Sequence, residues 1–327
     1  MDKVILECIK AIKMGDPQVH KHVTIIPLFK ANGTGPDYLT MKEAMENHLL
    51  TIGEMTESGS VPELKVKNQA LKSVLLVDGE ELAGAKQNRV LNTTILIRET
   101  SETVIPVSCT EHGRWSFVSS CFEESGHMMS ACLRRVKNES VHENLKRERK
   151  FVSNQGAVWD EISDFAIRNK VTPVTGAMKD VIDAKKEVLD EYLERLPYVE
   201  KQNGLLVLVN GRVVGLDLVS RATAFRLLHS KLVRSYVMDA LTELPKKTKA
   251  VNADKTGAFL EEIQQCQEQK FESVGYGVDC RYEGKKIVGS VLLHENTVVH
   301  MAFFRISRSE KVGHMSSSSR RRAFRAT

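Results

Sequence analysis

The sequence predicts an α+β fold, in which an antiparallel or mixed β-sheet with hairpins is flanked by helices. Apolar runs of strand length occur in blocks that are separated by long stretches with helical periodicity. The dipeptides Asp78-Gly79 and Asn210-Gly211 each stand between two apolar runs, which is typical of tight β-hairpins. The connections between successive predicted strands are also too short for the crossovers that a purely parallel sheet requires.

The N-terminal region predicts a helix, a buried strand and a second helix. The first helix is predicted from apolar residues at helical spacing, and it is expected to end before Gly15 and Pro17. The run "HVTIIPLF" predicts the strand, because it is short, apolar and rich in β-branched residues. Thr40 and Glu43 have capping-box spacing, so a helix is predicted through "YLTMKEAMENHLL", with Asp37 as the alternative cap.

The clearest strand patterns follow residue 73. Residues 74–77 and 80–85 are predicted to pair through the Asp78-Gly79 turn. The segments "RVLNTTILI" and "ETVIPVSC" predict two further strands, and residues 117–197 have helical patterns.

The remaining elements predict a second sheet region. "GLLVLVNGRVVGLDLV" predicts a hairpin, and "ATAFRLLHSKLVRSYVMDAL" predicts a long helix capped by Ser220. A helix around "GAFLEEIQQCQEQ" and a last set of strands ending in "VVHMAFF" follow. We expect one large domain over residues 1–306. The alternative is two sheet-containing halves, 1–118 and 198–306, joined by a helical segment, 119–197.

Composition and charge restrict the class of protein. With 327 residues and 42% hydrophobic content, the chain can bury a large core. No run approaches the roughly 18 apolar residues of a membrane span, and the charged N-terminus does not resemble a secretory signal. The six cysteines form no C-x-x-C pair, which predicts reduced thiols and no metal site. We therefore expect a cytoplasmic protein that does not bind membranes.

The formal charge of +5 is concentrated at the C-terminus. From Arg305 onward the chain holds seven Lys or Arg residues and one Glu, so the rest of the chain is close to neutral. Residues 307–327 are predicted to be a disordered basic tail, because serine and arginine offer almost nothing to bury. Nucleic-acid binding is expected only through this tail.

A charged motif, Gly79–Arg89, follows the first predicted turn. After Gly79 it contains Glu80 and Glu81, and three small residues follow Leu82 at positions 83–85. Small residues let a ligand or another backbone come close. Four polar side chains then follow, and they predict the rim of a pocket for an anion or a sugar: Lys86, Gln87, Asn88 and Arg89.

A second charged motif, Cys109–Trp115, ends a later strand and contains Glu111, Arg114 and Trp115. If the two strands are neighbours, Glu80, Glu81 and Glu111 can divide acid and base roles. The arginines suit phosphate, and the indole ring of Trp115 suits an adenine or nicotinamide ring. The alternative is that the same charges form cross-strand ion pairs on a solvated face.

Four other sites have weaker signals. His300 lies in an apolar strand, where it is either a hydrogen-bonded core histidine or a residue of the sheet's working edge. His20 and His22 would bind a metal only with further partners. His127 is expected to pack, and Cys109 would be a nucleophile only beside a base such as His112.

Several segments resemble one family. They are "GEELAGAKQNRVLNT", "IPVSCTEHGRW", "YLTMKEAM", "SVPELKVKN", "GLDLVSRATAFRLLHSKLVRSYVMDAL" and "VVHMAFF". The resemblance is to the ADP-ribosylglycohydrolase and rhodanese-phosphatase associated proteins, and it runs from about Ile12 to Phe304. It places Gly79–Arg89 and Cys109–Trp115 on the family's two densest motifs. The resemblance implies a setting in NAD and ADP-ribose metabolism. His112 stands at a variable position of the family pattern.

The leading hypothesis is binding of a phosphorylated, nucleotide-like small molecule such as ADP-ribose or an NAD relative. In an enzyme of this kind, a hydrolase or transferase, Glu80, Glu81 and Glu111 would be catalytic. Lys86, Gln87, Asn88, Arg89, Arg114 and Trp115 would bind the ligand. Two alternatives remain: a non-catalytic sensor, and a scaffold or interaction protein whose charged motifs are a structural polar network. The sequence identifies no cofactor and no oligomeric state.

Overall fold

The computed structural model of the chain describes residues 1–30, 35–56, 60–245 and 253–306. Within these ranges helices and strands occur in comparable amounts, and every strand pair but one is antiparallel, so the predicted α+β class is confirmed. The predicted tail, residues 307–327, lies outside the described residues. The assignment of residues 1–306 to one domain, with its alternative of two halves, stays a prediction.

The described residues form eight helices and eighteen strands. The helices are α1 Lys3–Lys10, α2 Met41–Glu46, α3 Ala131–Glu148, α4 Gln155–Arg168, α5 Met178–Asp183, α6 Lys186–Arg195, α7 Ala222–Ala240 and α8 Ala253–Gln264. The strands are β1 Ile12–Met14, β2 Gln18–His20, β3 Val23–Lys30, β4 Tyr38–Thr40, β5 Leu50–Glu54, β6 Glu63–Asn68, β7 Ser73–Leu76, β8 Glu80–Gly84, β9 Arg89–Leu91, β10 Ile95–Ile97, β11 Ser101–Cys109, β12 Phe122–Met128, β13 Gly204–Val209, β14 Arg212–Val219, β15 Gln267–Glu272, β16 Val278–Glu283, β17 Ile287–His294 and β18 Thr297–Arg305.

Within the described ranges the strands form three sheets. The largest has nine strands in the order β1-β3-β13-β14-β18-β17-β16-β15, with β2 also beside β3. A six-stranded sheet has the order β12-β8-β9-β11-β6-β5, and a three-stranded sheet has the order β10-β7-β4. The largest sheet therefore joins N-terminal strands to strands from the second half of the chain.

The nine-stranded sheet is covered on both faces. Successive side chains of a strand point to opposite faces, and those of β13 alternate between two apolar clusters. One cluster contains side chains of α3, α4, α6 and α7, and the other contains side chains of α1 and α8. Burial on both faces explains why β13 reads as a continuous apolar run. A third cluster joins α2 to the two smaller sheets.

The predicted pairing of the Asp78-Gly79 hairpin is wrong. Strand β7 pairs with β10 and β4, whereas β8 pairs with β9 and β12 in a different sheet. Gly79 has a φ of 85°, and a Cβ atom there would lie 2.7 Å from Cγ of Arg134. Asp78 is completely buried and paired with Lys137. The turn therefore carries the chain from one sheet to another over buried basic side chains.

Three other local predictions are corrected. Helix α1 ends at Lys10 because the segment from Ile12 pairs with β3. The N-cap of α7 is Arg221, without a side-chain capping bond, and the Ser220 hydroxyl lies 2.9 Å from the Tyr38 hydroxyl instead. The region predicted as helical, 117–197, also contains strand β12.

Two local predictions are confirmed. The Thr40 side chain and the Glu43 side chain form the reciprocal capping box at the start of α2. Asn210 and Gly211 have φ values of 51° and 69° and connect the antiparallel strands β13 and β14. Both hairpin residues thus adopt the left-handed conformation that this dipeptide favours.

In the described part of the chain, no helix combines the length and the apolar character that a bilayer crossing requires.

Candidate functional site

The two charged motifs meet in the six-stranded sheet. Gly79–Arg89 forms a turn, strand β8 and the loop before β9, and Cys109–Trp115 begins at the end of β11. Strands β9 and β11 pair so that the last residue of the first motif lies opposite the first residue of the second. The Thr110 amide also donates to the Asn88 carbonyl at 3.0 Å. The two motifs are therefore in direct contact.

The carboxylate of Glu111 is hydrogen-bonded inside the protein. Arg114 donates to it from Nε at 2.9 Å and from Nη2 at 2.6 Å. The Thr175 hydroxyl donates at 2.8 Å and the Asn88 amide at 3.1 Å. Burial raises the pKa of Glu111, but these donors, Arg114 first, outweigh it and hold the pKa below its ordinary value. Glu111 is therefore an ionised carboxylate with internal partners.

Arg114 also closes the loop between β8 and β9. Its Nη1 donates to the Ala85 carbonyl at 2.8 Å, and its Nη2 lies 3.2 Å from Asn88 Oδ1. Gly84 has a φ of 116°, and a Cβ atom there would lie 2.5 Å from Ser119 Oγ. The small residues of the first motif are thus packed against the segment that follows the second motif.

Glu81 is a buried carboxyl with an incomplete set of hydrogen bonds. Its Oε1 accepts a hydrogen bond from the Thr110 hydroxyl at 2.8 Å. Its Oε2 is buried and makes no hydrogen bond of normal geometry with the described residues. Burial raises the pKa of Glu81 to about 8, against the lowering effects of the Thr110 and Ser125 side chains. The carboxyl is therefore mainly protonated at neutral pH.

Glu80 points to the opposite face of β8 and has a cationic partner. It is paired with Lys231 of α7, and its Oε2 accepts from the Val77 amide at 2.8 Å. Lys231 also donates to Glu124 at 2.9 Å. Burial lowers the pKa of Lys231, but the two carboxylates, Glu80 first, outweigh it and raise the pKa. Glu80 thus ties α7 to the six-stranded sheet.

Arg89 is completely buried beneath the loop of the first motif. Its Nη1 donates to the Gln87 carbonyl at 3.1 Å and to Gln87 Oε1 at 3.3 Å. Its Nη2 lies 3.7 Å from Oε1 of Glu54 in β5. Glu54 belongs to no predicted site, because nothing in the sequence pattern connects its strand with the motif.

Three apolar side chains at the end of the second motif and in the loop after it are exposed. We call them the aromatic surface: Trp115, Phe117 and Val118. These side chains are 49%, 50% and 65% exposed, respectively. The Lys86 ammonium lies 5.3 Å from the centroid of the Trp115 ring and 4.8 Å from that of the Phe117 ring. Both distances are within cation–π range, so Lys86 supports the two rings.

A second charged cluster lies between α3 and the nine-stranded sheet, where no motif predicts it. Arg134 donates to the two Asp217 oxygens at 3.0 and 2.7 Å, and its Nε lies 3.4 Å from Asp78. None of the members is more than 1% exposed. We call this set the buried ionic network: Asp78, Arg134, Lys137, Asp217, Tyr236 and His300.

The members of the buried ionic network shift one another's pKa. Burial raises the pKa of Asp217, but Arg134 and then His300 outweigh it and lower the pKa to about 2. Burial lowers the pKa of Lys137 in spite of its pairing with Asp78. His300 Nδ1 lies 2.7 Å from the Thr94 hydroxyl. The prediction of a hydrogen-bonded core histidine is therefore confirmed for His300.

The weaker candidates have other surroundings. His112 is exposed, and its ring meets the edge of the Trp159 ring at 4.4 Å between centroids. Cys109 is buried, which raises the pKa of its thiol and disfavours a thiolate. His127 lies 2.8 Å from Asp183, and His20 lies 2.9 Å from Glu191. In the described ranges no three His, Cys, Asp or Glu residues are arranged to hold a metal ion.

Two cavities in the described part of the chain have volumes of about 370 and 310 Å³. Neither is lined by a residue of the two charged motifs. The predicted pocket residues are thus brought together, but their polar groups contact mainly one another and neighbouring protein groups.

Comparison with known proteins identifies the family. A family model described as the ARG and Rhodanese-Phosphatase-superfamily-associated Protein domain matches residues 11–304. Searches of curated proteins and of solved structures give no match. The matched range includes both charged motifs, the buried ionic network and most described helices and strands. The chain therefore belongs to the ARG and Rhodanese-Phosphatase-superfamily-associated Protein domain family.

Proposed function

We propose that this protein is a non-catalytic interaction protein whose two charged motifs form a structural polar framework. The observation that carries the proposal is the Glu111 carboxylate, which accepts four hydrogen bonds from protein groups. A carboxylate has about four acceptor positions. Glu111 therefore has little capacity left for a substrate, and Glu80 is occupied in a similar way by Lys231 and the Val77 amide.

The framework fixes the aromatic surface. Arg114 joins the loop between β11 and β12 to the loop between β8 and β9, because it bonds both Glu111 and the Ala85 carbonyl. Large exposed apolar side chains that are held in place mark sites for partners, and Trp and Phe are enriched in protein interfaces. The proposed partner is a protein with an apolar face.

The change Arg114→Ala tests the framework. We expect it to lower the free energy of unfolding by about 3 kcal/mol, because Glu111 stays buried and loses its cationic partner. Urea-induced unfolding followed by circular dichroism measures the effect. The matched control is Lys65→Ala in the same sheet, since its pair with Glu102 is half exposed on both sides and such surface pairs contribute little. Equal stability of the two variants would contradict the framework role.

A second candidate function is binding of a phosphorylated, nucleotide-like small molecule at the aromatic surface. It is favoured by the half-exposed Trp115 ring beside the Lys86 ammonium. An indole face stacks on adenine or nicotinamide, and an ammonium suits phosphate. The ADP-ribosylglycohydrolase association in the family's name supplies the ligand class, ADP-ribose or an NAD relative. As a hydrolase or transferase, the protein would use Glu81 as the acid and Glu111 as the base, and Glu111 would first have to exchange one of its internal hydrogen bonds for the substrate.

The second candidate is tested by titrating ADP-ribose, NAD and AMP into the Trp159→Phe variant, in which Trp115 is the remaining tryptophan of the sequence. We expect saturable quenching of Trp115 fluorescence, and its loss in Lys86→Met but not in Lys65→Met. Chromatography of the titrated ligand then shows whether the protein converts the ligand or only binds it. Absence of quenching with all three compounds would exclude this candidate and leave the structural framework as it stands.

A further inference from the structure

The larger cavity is lined by none of the residues considered for the proposed function. It is formed by the hairpin β13–β14, the beginning of α3, the end of α7 and the end of β18. Its volume of about 370 Å³ falls within the range of roughly 300–1,000 Å³ that small-molecule sites occupy. Its lining contains no residue of the aromatic surface.

The interior of this cavity is apolar and partly aromatic. The rings of Tyr236 and Phe304 line it, with centroids 6.5 Å apart and planes inclined by 31°. Val209, Val213 and Ala240 are among the apolar residues beside them. All five residues are buried, so their positions are fixed by the core. Such a surface accepts a flat apolar group by stacking and by dispersion contacts.

The rim of the cavity carries charges of both signs. Three arginines and two carboxylates contribute to the lining: Arg135, Arg212, Arg305, Asp239 and Glu243. Arg212 donates to the two Glu243 oxygens at 3.0 and 2.9 Å, but the side chains are 54% and 36% exposed. An exposed pair of this kind contributes only about 0–1 kcal/mol. Arg212 can therefore exchange Glu243 for an anionic group of a ligand at little cost.

We infer that this cavity binds a small aromatic monoanion, a molecule with a flat ring system and one carboxylate or sulfonate group. The ring system packs against Tyr236 and Phe304, and the anionic group bonds Arg212 at the rim. A neutral ring compound would use the apolar interior alone, and a cation would find no partner in Arg212. The inference does not depend on the proposed function, because the two sites share no residue.

The test uses the full chain and the fluorescent probe 8-anilinonaphthalene-1-sulfonate, which is an aromatic monoanion. We expect saturable fluorescence enhancement, at least about tenfold weaker binding of the neutral analogue N-phenyl-1-naphthylamine, and at least about tenfold weaker probe binding to Ala240→Leu. Ala240 is 1% exposed, so the larger side chain fills the cavity. The matched control is Val274→Trp in the second cavity, which should leave probe binding unchanged.

A second readout locates the bound probe. Cys132 lines the cavity and Cys121 does not, and neither thiol forms a disulfide. Saturating probe should slow alkylation of Cys132, measured by peptide mass spectrometry, without affecting Cys121. Unchanged alkylation of Cys132 would overturn the inference, and so would unchanged probe binding by a folded Ala240→Leu variant. If Ala240→Leu does not fold, the alkylation rates of Cys132 in the natural chain, with and without the probe, decide whether the probe binds in this cavity.

Discussion

Replacing Arg134 by methionine is expected to lower the free energy of unfolding by roughly 3–5 kcal/mol. Arg134 is completely buried, and its guanidinium bonds both oxygens of Asp217 and approaches Asp78. Methionine replaces part of the apolar volume but none of the charge. Among the described residues, the change therefore leaves Asp217 in the core with Tyr236 and His300 as its hydrogen-bond partners. Equilibrium unfolding in urea at neutral pH measures the loss.

The matched control for this prediction is Lys146→Met on the same helix. Lys146 pairs with Glu143 at 2.9 Å and with Glu283 at 2.6 Å in partly exposed positions, so its loss should cost about 0–1 kcal/mol. Combining Arg134→Met with Asp217→Leu should recover part of the stability, because the uncompensated charge is removed. If Arg134→Met unfolds at the same urea concentration as the control, the buried ionic network does not stabilise the fold.

The buried ionic network explains how the three sheets are joined. Asp78 lies in the turn between the two smaller sheets, Arg134 and Lys137 lie on α3, and Asp217 and His300 lie on strands of the largest sheet. Charged groups form hydrogen bonds only in restricted geometries, whereas apolar contacts are less directional. The network therefore specifies the positions of the sheets and of α3 relative to one another. The six-stranded sheet that carries both charged motifs is thereby fixed to the rest of the protein.

Local patterns predict the fold where local contacts decide it. Asn210-Gly211 makes its predicted hairpin, because the flanking strands pair with each other. Asp78-Gly79 has the same turn chemistry but joins two sheets. The difference lies in Lys137 and Arg134, which bind or pack beneath the turn and come from a helix far along the chain. No window of sequence around residue 78 contains this information.

The candidate site also has one part that the sequence predicts and one part that depends on distant segments. The contact between the two motifs is predictable, because their strands are close in the chain and antiparallel neighbours. The partners of the charges are not predictable, because Glu54, Thr175 and Lys231 come from distant segments. Whether a glutamate faces a cavity or a lysine depends on this tertiary arrangement. The charges of the first motif are therefore explained mainly by internal pairing.

Glu81 is the exception among the motif carboxylates, because burial raises its pKa from 4.5 to about 8. Between these two values the unfolded chain has lost the proton, while the folded protein keeps it. The folded state thus binds more protons, so the free energy of unfolding must fall as the pH rises through this interval. The Glu111 contribution has the opposite sign, because its folded pKa is lowered and its stabilisation is lost as the pH falls.

The change Glu81→Gln is therefore expected to remove a pH dependence of the free energy of unfolding rather than a stabilising contact. In the natural chain Glu81 should lower the free energy of unfolding by on the order of 4 kcal/mol between about pH 4.5 and pH 8, and the neutral amide should abolish this loss. Urea unfolding of both proteins from about pH 5 to pH 9 measures the difference. The control variant Glu111→Gln keeps the Glu81 carboxyl and should retain the decline. If the free energies of unfolding of the natural chain and of Glu81→Gln change with pH in the same way, the Glu81 carboxyl is ionised and solvated in the folded protein. Glu81 would then again be a candidate for contact with a ligand.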